Sequence, residues 1–343
     1  MTYTLTVTDH PADTRDSGLG ELANAVHQIT AVVADHYGIP DIHVDLIFAD
    51  DFIGATQDAL DEARRDGEAP DTFTTERLGG ETVAKNVPRA DDFSDIAIVM
   101  NRTLLAADGE AVAHTIFLIA HELFHPMLNR RRHQSGTLEG VIYPSRTPNE
   151  IARSIACTIT DEYRADQFAS VMLGHFGTIT TPGGGTEQLH AGHVFGDGYN
   201  QQFTDLLDTH IAPGWPDLVM DYRYGRVGLD DMWRAIASQT DQTFTLLAHA
   251  QAVADAARAD GPLDGDNGSH RGATLYIAPA WSAVMSALDE HKTLGTPEEF
   301  ALGDVAIADT VERELFDMWA RLGLTFSVNK ERNFAIHVTN PQR

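Results

Sequence analysis

The sequence predicts an α+β chain, with a small mixed sheet and long helices in an N-terminal part and a mainly helical C-terminal part. Three observations carry this. The short runs "TYTLTVT", "IHVDLIF" and "DIAIVMN" alternate as strands do. The stretches "GEAVAHTIFLIAHELFH" and "NEIARSIACTITDEYRADQFASVMLG" keep apolar residues at helical spacing. From about residue 200 the chain reads mainly helical, until "LTFSVNKERNFAIHVT" returns to alternation around a polar turn and closes as a β-hairpin.

Each element follows in order. Residues 2–8 form the first strand. A helix over 18–37 stops before Gly38 and Pro40, residues that end helices. Residues 42–48 are a strand and 55–65 a short polar helix. The stretch 67–93, rich in Gly, Pro, Asp and Thr, reads as a loop or hairpin, and 95–101 is again a strand. Helices follow at 109–125 and 149–174, separated by an irregular 126–148 that holds Pro126, Gly136, Gly140, Pro144 and Pro148. The segment 181–199 is rich in Gly and reads as flexible. Further helices lie at 199–209, 216–223, 229–238, 241–259, 279–291 and 304–322, and the hairpin spans 324–339. The boundary between an α+β domain (1–225) and a helical region (226–343) is placed near 225.

Bulk properties exclude some functions. With 343 residues the chain buries a full core, and 43% hydrophobic against 22% charged residues is ordinary for a folded protein. The 24 Lys and Arg against 51 Asp and Glu leave a net charge of −27, which repels phosphate backbones and anionic membranes. No direct nucleic-acid or membrane partner is expected. The triplet Arg130–Arg132 is the local exception and reads as a solvated cap near a helix C-terminus. The single cysteine, Cys157, allows no internal disulfide and suits a reducing compartment. The N-terminal residues have neither the basic start nor the apolar core of a signal peptide, so the expected location is cytoplasmic.

The chemistry is concentrated in "AHELFHP", Ala120–Pro126. On a helix, residues four apart share a face, so His121 and His125 can each direct one nitrogen to a single ion. Glu122 then projects beside the ion and can take a proton from a water activated there. The preceding turns are apolar enough to bury the helix. A catalytic zinc usually takes a third protein ligand and keeps one position open. "EYRAD" in the second long helix offers Glu162 as that ligand and, one turn on, Asp166 to hold the far nitrogen of a ligating histidine. Asp161 and Glu150 are rival acids, but neither has an acid four residues on. Leu128 and Arg131 stand where a metzincin carries Gly and His, which excludes that class. One zinc per chain is the expectation.

At these residues the chain resembles the gluzincin metallopeptidases. "HELFH" with "EYRADQFASVML" is similar to the ImmA/IrrE-like family, whose HExxH is followed by E-x-x-A-(N/D)-x-F-A-x-x-L-L. Glu162, Ala165, Asp166, Phe168, Ala169 and Leu173 match that pattern approximately. The resemblance covers roughly residues 20–175. It implies a zincin-like catalytic domain with an edge strand along the cleft, zinc on His121, His125 and Glu162, Glu122 as general base, Asp166 behind a ligand, and a protein or peptide substrate. In zinc peptidases the strand just before the metal helix lies along the cleft, which points to 95–101 as that edge strand. A zinc-fold protein without turnover and a zinc hydrolase of a non-peptide substrate are the alternatives. His190, His193, Tyr199, Tyr222 and Tyr224 are candidate donors to the oxyanion. "HAGH" (190–193) taken alone reads as loop rather than as a second metal site, and His114 and Cys157 read as structural.

Overall fold

The computed structural model describes residues 3–10, 26, 28–29, 31–32, 42–64, 76–77, 80–81, 83–106, 110–137, 147–180, 184–196, 198–292, 295–328 and 334–342. Over these residues the chain is α+β, mostly helical with small sheets. The helix expected at 18–37 lies largely outside them. No helix among the described residues is long and apolar enough to cross a membrane.

The chain forms two compact units, Met1–Gly136 with Ala165–Val194, and Thr137–Arg164 with Phe195–Arg343. The boundary expected near 225 thus falls inside the second unit. The strands of the first unit are β1 (Tyr3–His10), β2 (Ile42–Ala49), β3 (Glu76–Arg77), β4 (Gly80–Glu81), β5 (Ala84–Pro88), β6 (Asp95–Asn101), β7 (Thr178–Thr180) and β8 (Thr186–Gln188). The main sheet has the order β1-β2-β6-β5. β1, β2 and β6 are parallel, and β5 is antiparallel to β6.

This order corrects the expected edge strand. β6 pairs on both sides, with β2 and with β5. Ile96 to Met100 are all at most 1% exposed, as in a strand covered on both faces. The edge beside β6 is β5, which the polar sequence "AKNVP" did not announce. Its register is fixed by the backbone bonds Asn101 N–H to Val83 O (2.9 Å) and Arg89 N–H to Asp95 O (2.8 Å). In an antiparallel ladder such pairs alternate, so Lys85 and Val87 face β6 while Ala84, Asn86 and Pro88 turn their backbone outward. Pro88, with no N–H to offer, sits where none is needed for the ladder.

Helix α1 (Phe52–Ala63) is capped by Asp51, whose carboxylate accepts from Gly54 N–H. It packs Phe52 and Ala59 against Val87, Ala97 and Val99 of the sheet. Helix α2 (Glu110–Ser135) carries the HExxH motif and runs straight through Pro126, ten residues past the expected end at His125. A proline removes the helical bond to the carbonyl four residues back, here that of Glu122. The Asn86 side-chain amide of β5 lies 3.5 Å from this carbonyl. The "solvated" triplet also divides. Arg130 pairs with Asp92 at 2.7 Å, while Arg132 is 1% exposed.

Helix α3 (Pro148–Phe176) crosses from the second unit into the first. Its first half carries Ala152, Ile155, Ile159 and Tyr163 into one core with Phe203, Trp215, Phe244 and Trp319. Residues 199–225 belong to that same core, which is why no boundary falls at 225. Arg164 fixes this helix further through buried Asp304 (3.1 Å) and the carbonyl of His291 (3.0 Å). Breaking such a buried pair from one side costs about 3–5 kcal/mol.

Among the described residues the further α-helices are α4 (Ala191–Phe195), α5 (Gly198–Leu206), α6 (Gly214–Arg223), α7 (Leu229–Ala257), α8 (Asp266–Ser269), α9 (Ala278–Glu290) and α10 (Pro297–Arg321). α7 is one helix where sequence spacing predicted two, and α10 begins seven residues before its expected start. Its N-terminus is a complete capping box, Thr296 with Glu299, with Pro297 in the first turn. The chain closes on the expected hairpin, β9 (Leu324–Val328) with β10 (Phe334–Val338).

Candidate metal centre

α2 and α3 bring together the residues singled out from sequence. One ligand atom each from His121, His125 and Glu162 lies within 4.8 Å of the other two. His121 is buried, and the other two are half-buried. Asp161 and Glu150 are not in the group.

The protonation of His121 follows from its neighbour. Nδ1 lies 2.7 Å from Oδ1 of Asp166, a carboxylate with no exposed surface. An ionised carboxylate only accepts, so Nδ1 donates and Nε2 keeps its lone pair. That lone pair faces Nε2 of His125 at 3.0 Å, with the rings edge-on at 78°. Two nitrogens held 2.0–2.1 Å from a tetrahedral ion would stand about 3.3 Å apart. The pair therefore suits a shared cation, and the Glu162 carboxylate completes a set of borderline-soft and hard donors typical of zinc. The packing behind it is firm, with Phe117 stacked on His121 and Phe124 on Phe168 (centroids 4.7 Å apart).

Glu122 stands outside the ligand group. Its carboxylate accepts a short hydrogen bond from the Asn86 amide, the same amide that approaches the carbonyl freed by Pro126. β5 and α2 are thus tied at the residue expected to move protons.

Three neighbours were not found from sequence. Asn86 lies in a strand too polar and too short to be read as one. His249 of α7 places Nε2 3.6 Å from Oε2 of Glu162 and stacks its ring on Tyr199 (5.3 Å, 11°). Asp241 is pushed up to about 6, first by burial and second by the charge of Glu162. A bound cation would neutralise the second cause. His249 and Asp241 are separated from "EYRAD" by about 80 residues, and only the shared helical core reveals them.

Of the candidate oxyanion donors, Tyr199 is linked to the centre through His249. Tyr224 is 65% exposed and lies over Arg226, and Tyr222 packs at the margin of the helical core. His190 and His193 belong to a separate group with Glu187. His114 is half-buried, and burial depresses its pKa.

Comparison with family models, with curated proteins and with solved structures gives no match.

Chemistry therefore has to be read from the arrangement alone. It offers two histidines and one carboxylate converging on a point, a second carboxylate that sets a ring tautomer, and a third, Glu122, beside the group rather than in it. That division sets the Glu122 carboxylate apart from the three residues that could hold a cation.

Proposed function

We propose that the chain is a zinc metallopeptidase of gluzincin type with a zincin-like catalytic domain, related in its site to the ImmA/IrrE-like proteases. The observation that carries this is the Asp166–His121 bond, which presents the His121 lone pair to His125 while Glu122 stays outside the ligand set. His121, His125 and Glu162 would hold the zinc. When bound, zinc polarises a peptide carbonyl and makes water acidic near neutral pH. Glu122 takes the proton of the attacking water and passes it to the leaving amine. Asn86 holds the Glu122 carboxylate in place between these transfers. The substrate is a protein or peptide that adds as a strand to the outward backbone of β5, where among the described residues no other strand pairs.

The test is proteolysis of an unfolded protein by the purified, zinc-supplied chain, compared with Glu122→Gln. The expected loss is roughly 100–10,000-fold with zinc retained. Retained cleavage in that variant overturns the mechanism. No cleavage by the wild type, with zinc bound, identifies a zinc-fold protein without turnover, and hydrolysis of small esters or amides alone identifies a non-peptide hydrolase.

A further inference from the structure

The structure holds a second group of metal-ligating residues, Glu187, His190 and His193, whose ligand atoms also lie within 4.8 Å of one another. The spacing is E-x-x-H-x-x-H. Glu187 sits on β8 and the two histidines flank the start of α4. Oε1 of Glu187 lies 3.5 Å from Nε2 of His190, and Oε2 lies 3.9 Å from Nε2 of His193. The first is at the outer limit of a hydrogen bond, and the second is beyond it. They are close to the roughly 3.3 Å edge of a tetrahedral site with ligands at 2.0–2.1 Å. The imidazole rings stand 3.7 Å apart between centroids, tilted by 36° to one another.

We propose that Glu187, His190 and His193 bind a second divalent transition-metal ion of the zinc class, more weakly than the first centre. The weakness follows from the far nitrogens. Nδ1 of His190 accepts from Gly192 N–H at 3.1 Å, and Nδ1 of His193 accepts from His190 N–H at 3.2 Å. A neutral ring that accepts at Nδ1 carries its proton at Nε2, so binding through Nε2 must give up both backbone bonds. No carboxylate stands behind these rings as Asp166 stands behind His121. Outer partners of that kind change metal affinity by roughly 10–100-fold. A bound ion would join the β7–β8 hairpin to α4, so it also stabilises this segment by mass action.

The experiment is a zinc titration of the full chain with a competing chromophoric chelator, comparing wild type with His190→Ala/His193→Ala. The difference is read whatever the first centre does. The expected result is one fewer equivalent in the variant, with the lost equivalent weaker by at least about tenfold than any that remains. Glu187→Ala should weaken the same equivalent without removing it. All three residues lie at or near the surface, so the variants should keep the wild-type circular dichroism. In a second arm, His121→Ala/His125→Ala should retain the weaker equivalent if it folds. Equal stoichiometry in wild type and His190→Ala/His193→Ala overturns the proposal, as does an equivalent indifferent to Glu187→Ala, which would be adventitious surface binding.

Discussion

Two groups of the same composition, two histidines and a glutamate, stand within the chain and differ in what lies behind the histidines. At His121 a buried carboxylate accepts from Nδ1 and presents a lone pair at Nε2. At His190 and His193 backbone N–H groups donate to Nδ1 and so place the proton at Nε2. The supporting elements differ too. The first group is held by helices of 26 and 29 residues, the second by a strand of three and a helix of five. Ligand identity alone therefore does not distinguish the two groups. The hydrogen bond on the far nitrogen and the rigidity of the carrier decide whether donors are ready for a cation or must first be rearranged.

Removing a ligand tests the comparison most severely. At zinc concentrations too low to fill the weaker group, His121→Ala or His125→Ala should lose essentially all bound zinc, while His190→Ala should lose none, as read by metal analysis after dialysis. Full zinc content in both of the first variants would remove the site. Glu162→Ala should act in the same direction, and Glu150→Ala and Asp161→Ala should not.

Asp166→Ala is predicted to come next in size. It keeps every ligand but abolishes the tautomer control, making the first group resemble the second. Zinc affinity should fall by roughly 10–100-fold, bringing the two groups close to each other in a chelator competition. An unchanged affinity would show that the carboxylate is structural and that the difference between the groups lies elsewhere.

Much of this centre was legible in the sequence, and the reasons are local. HExxH and ExxxD place side chains by helical spacing within a single element, so no tertiary knowledge is needed to align them. The edge position expected for 95–101 rests on the resemblance to zinc peptidases, whereas the five successive apolar residues Ile96 to Met100 carry the mark of a strand buried on both faces. β5 was missed because only Ala84 and Val87 are buried in it, and its strand form comes from pairing with β6. The start of α10 is marked in "TPEEF" by a capping box with proline at its first helical position, but hydrophobic spacing begins later. Asn86 and His249 reach their partners through tertiary contacts that no spacing encodes, whereas Glu187 stands only three residues before His190.

The corrected edge gives a smaller effect. Ala84 turns its N–H outward, and Lys85 turns its N–H toward Val99. Ala84→Pro should raise KM about tenfold by removing one donor to an added strand, with zinc retained and the sheet intact. Lys85→Pro should instead lower Tm, since it breaks the ladder. Proline at Ala97 or Val99, inside β6, should unfold the unit. If Ala84→Pro leaves KM unchanged, substrate does not add to β5.

The smallest predicted effect concerns Asn86, and it separates positioning from packing. Pro126 leaves the Glu122 carbonyl without its helical donor, and the Asn86 amide approaches that carbonyl while also donating to the Glu122 carboxylate. One side chain thus approaches a carbonyl that has lost its helical donor and restrains the carboxylate proposed to carry the proton. A hydrogen bond to a charged group is worth about 1.5–3 kcal/mol, but Glu122 is only half-buried and water can replace part of the bond. Asn86→Ala should therefore lower kcat roughly three- to tenfold, with KM, zinc content and Tm little changed. Asn86→Asp should be worse than Asn86→Ala, because it sets a second negative charge against Glu122 where a donor stood. Pro126→Ala supplies the complementary control. It restores a helical N–H to the Glu122 carbonyl, so in that background Asn86 serves the carboxylate alone, and the kcat loss from Asn86→Ala should persist. If the loss disappears with Pro126→Ala, Asn86 repairs the helix and does not position the base.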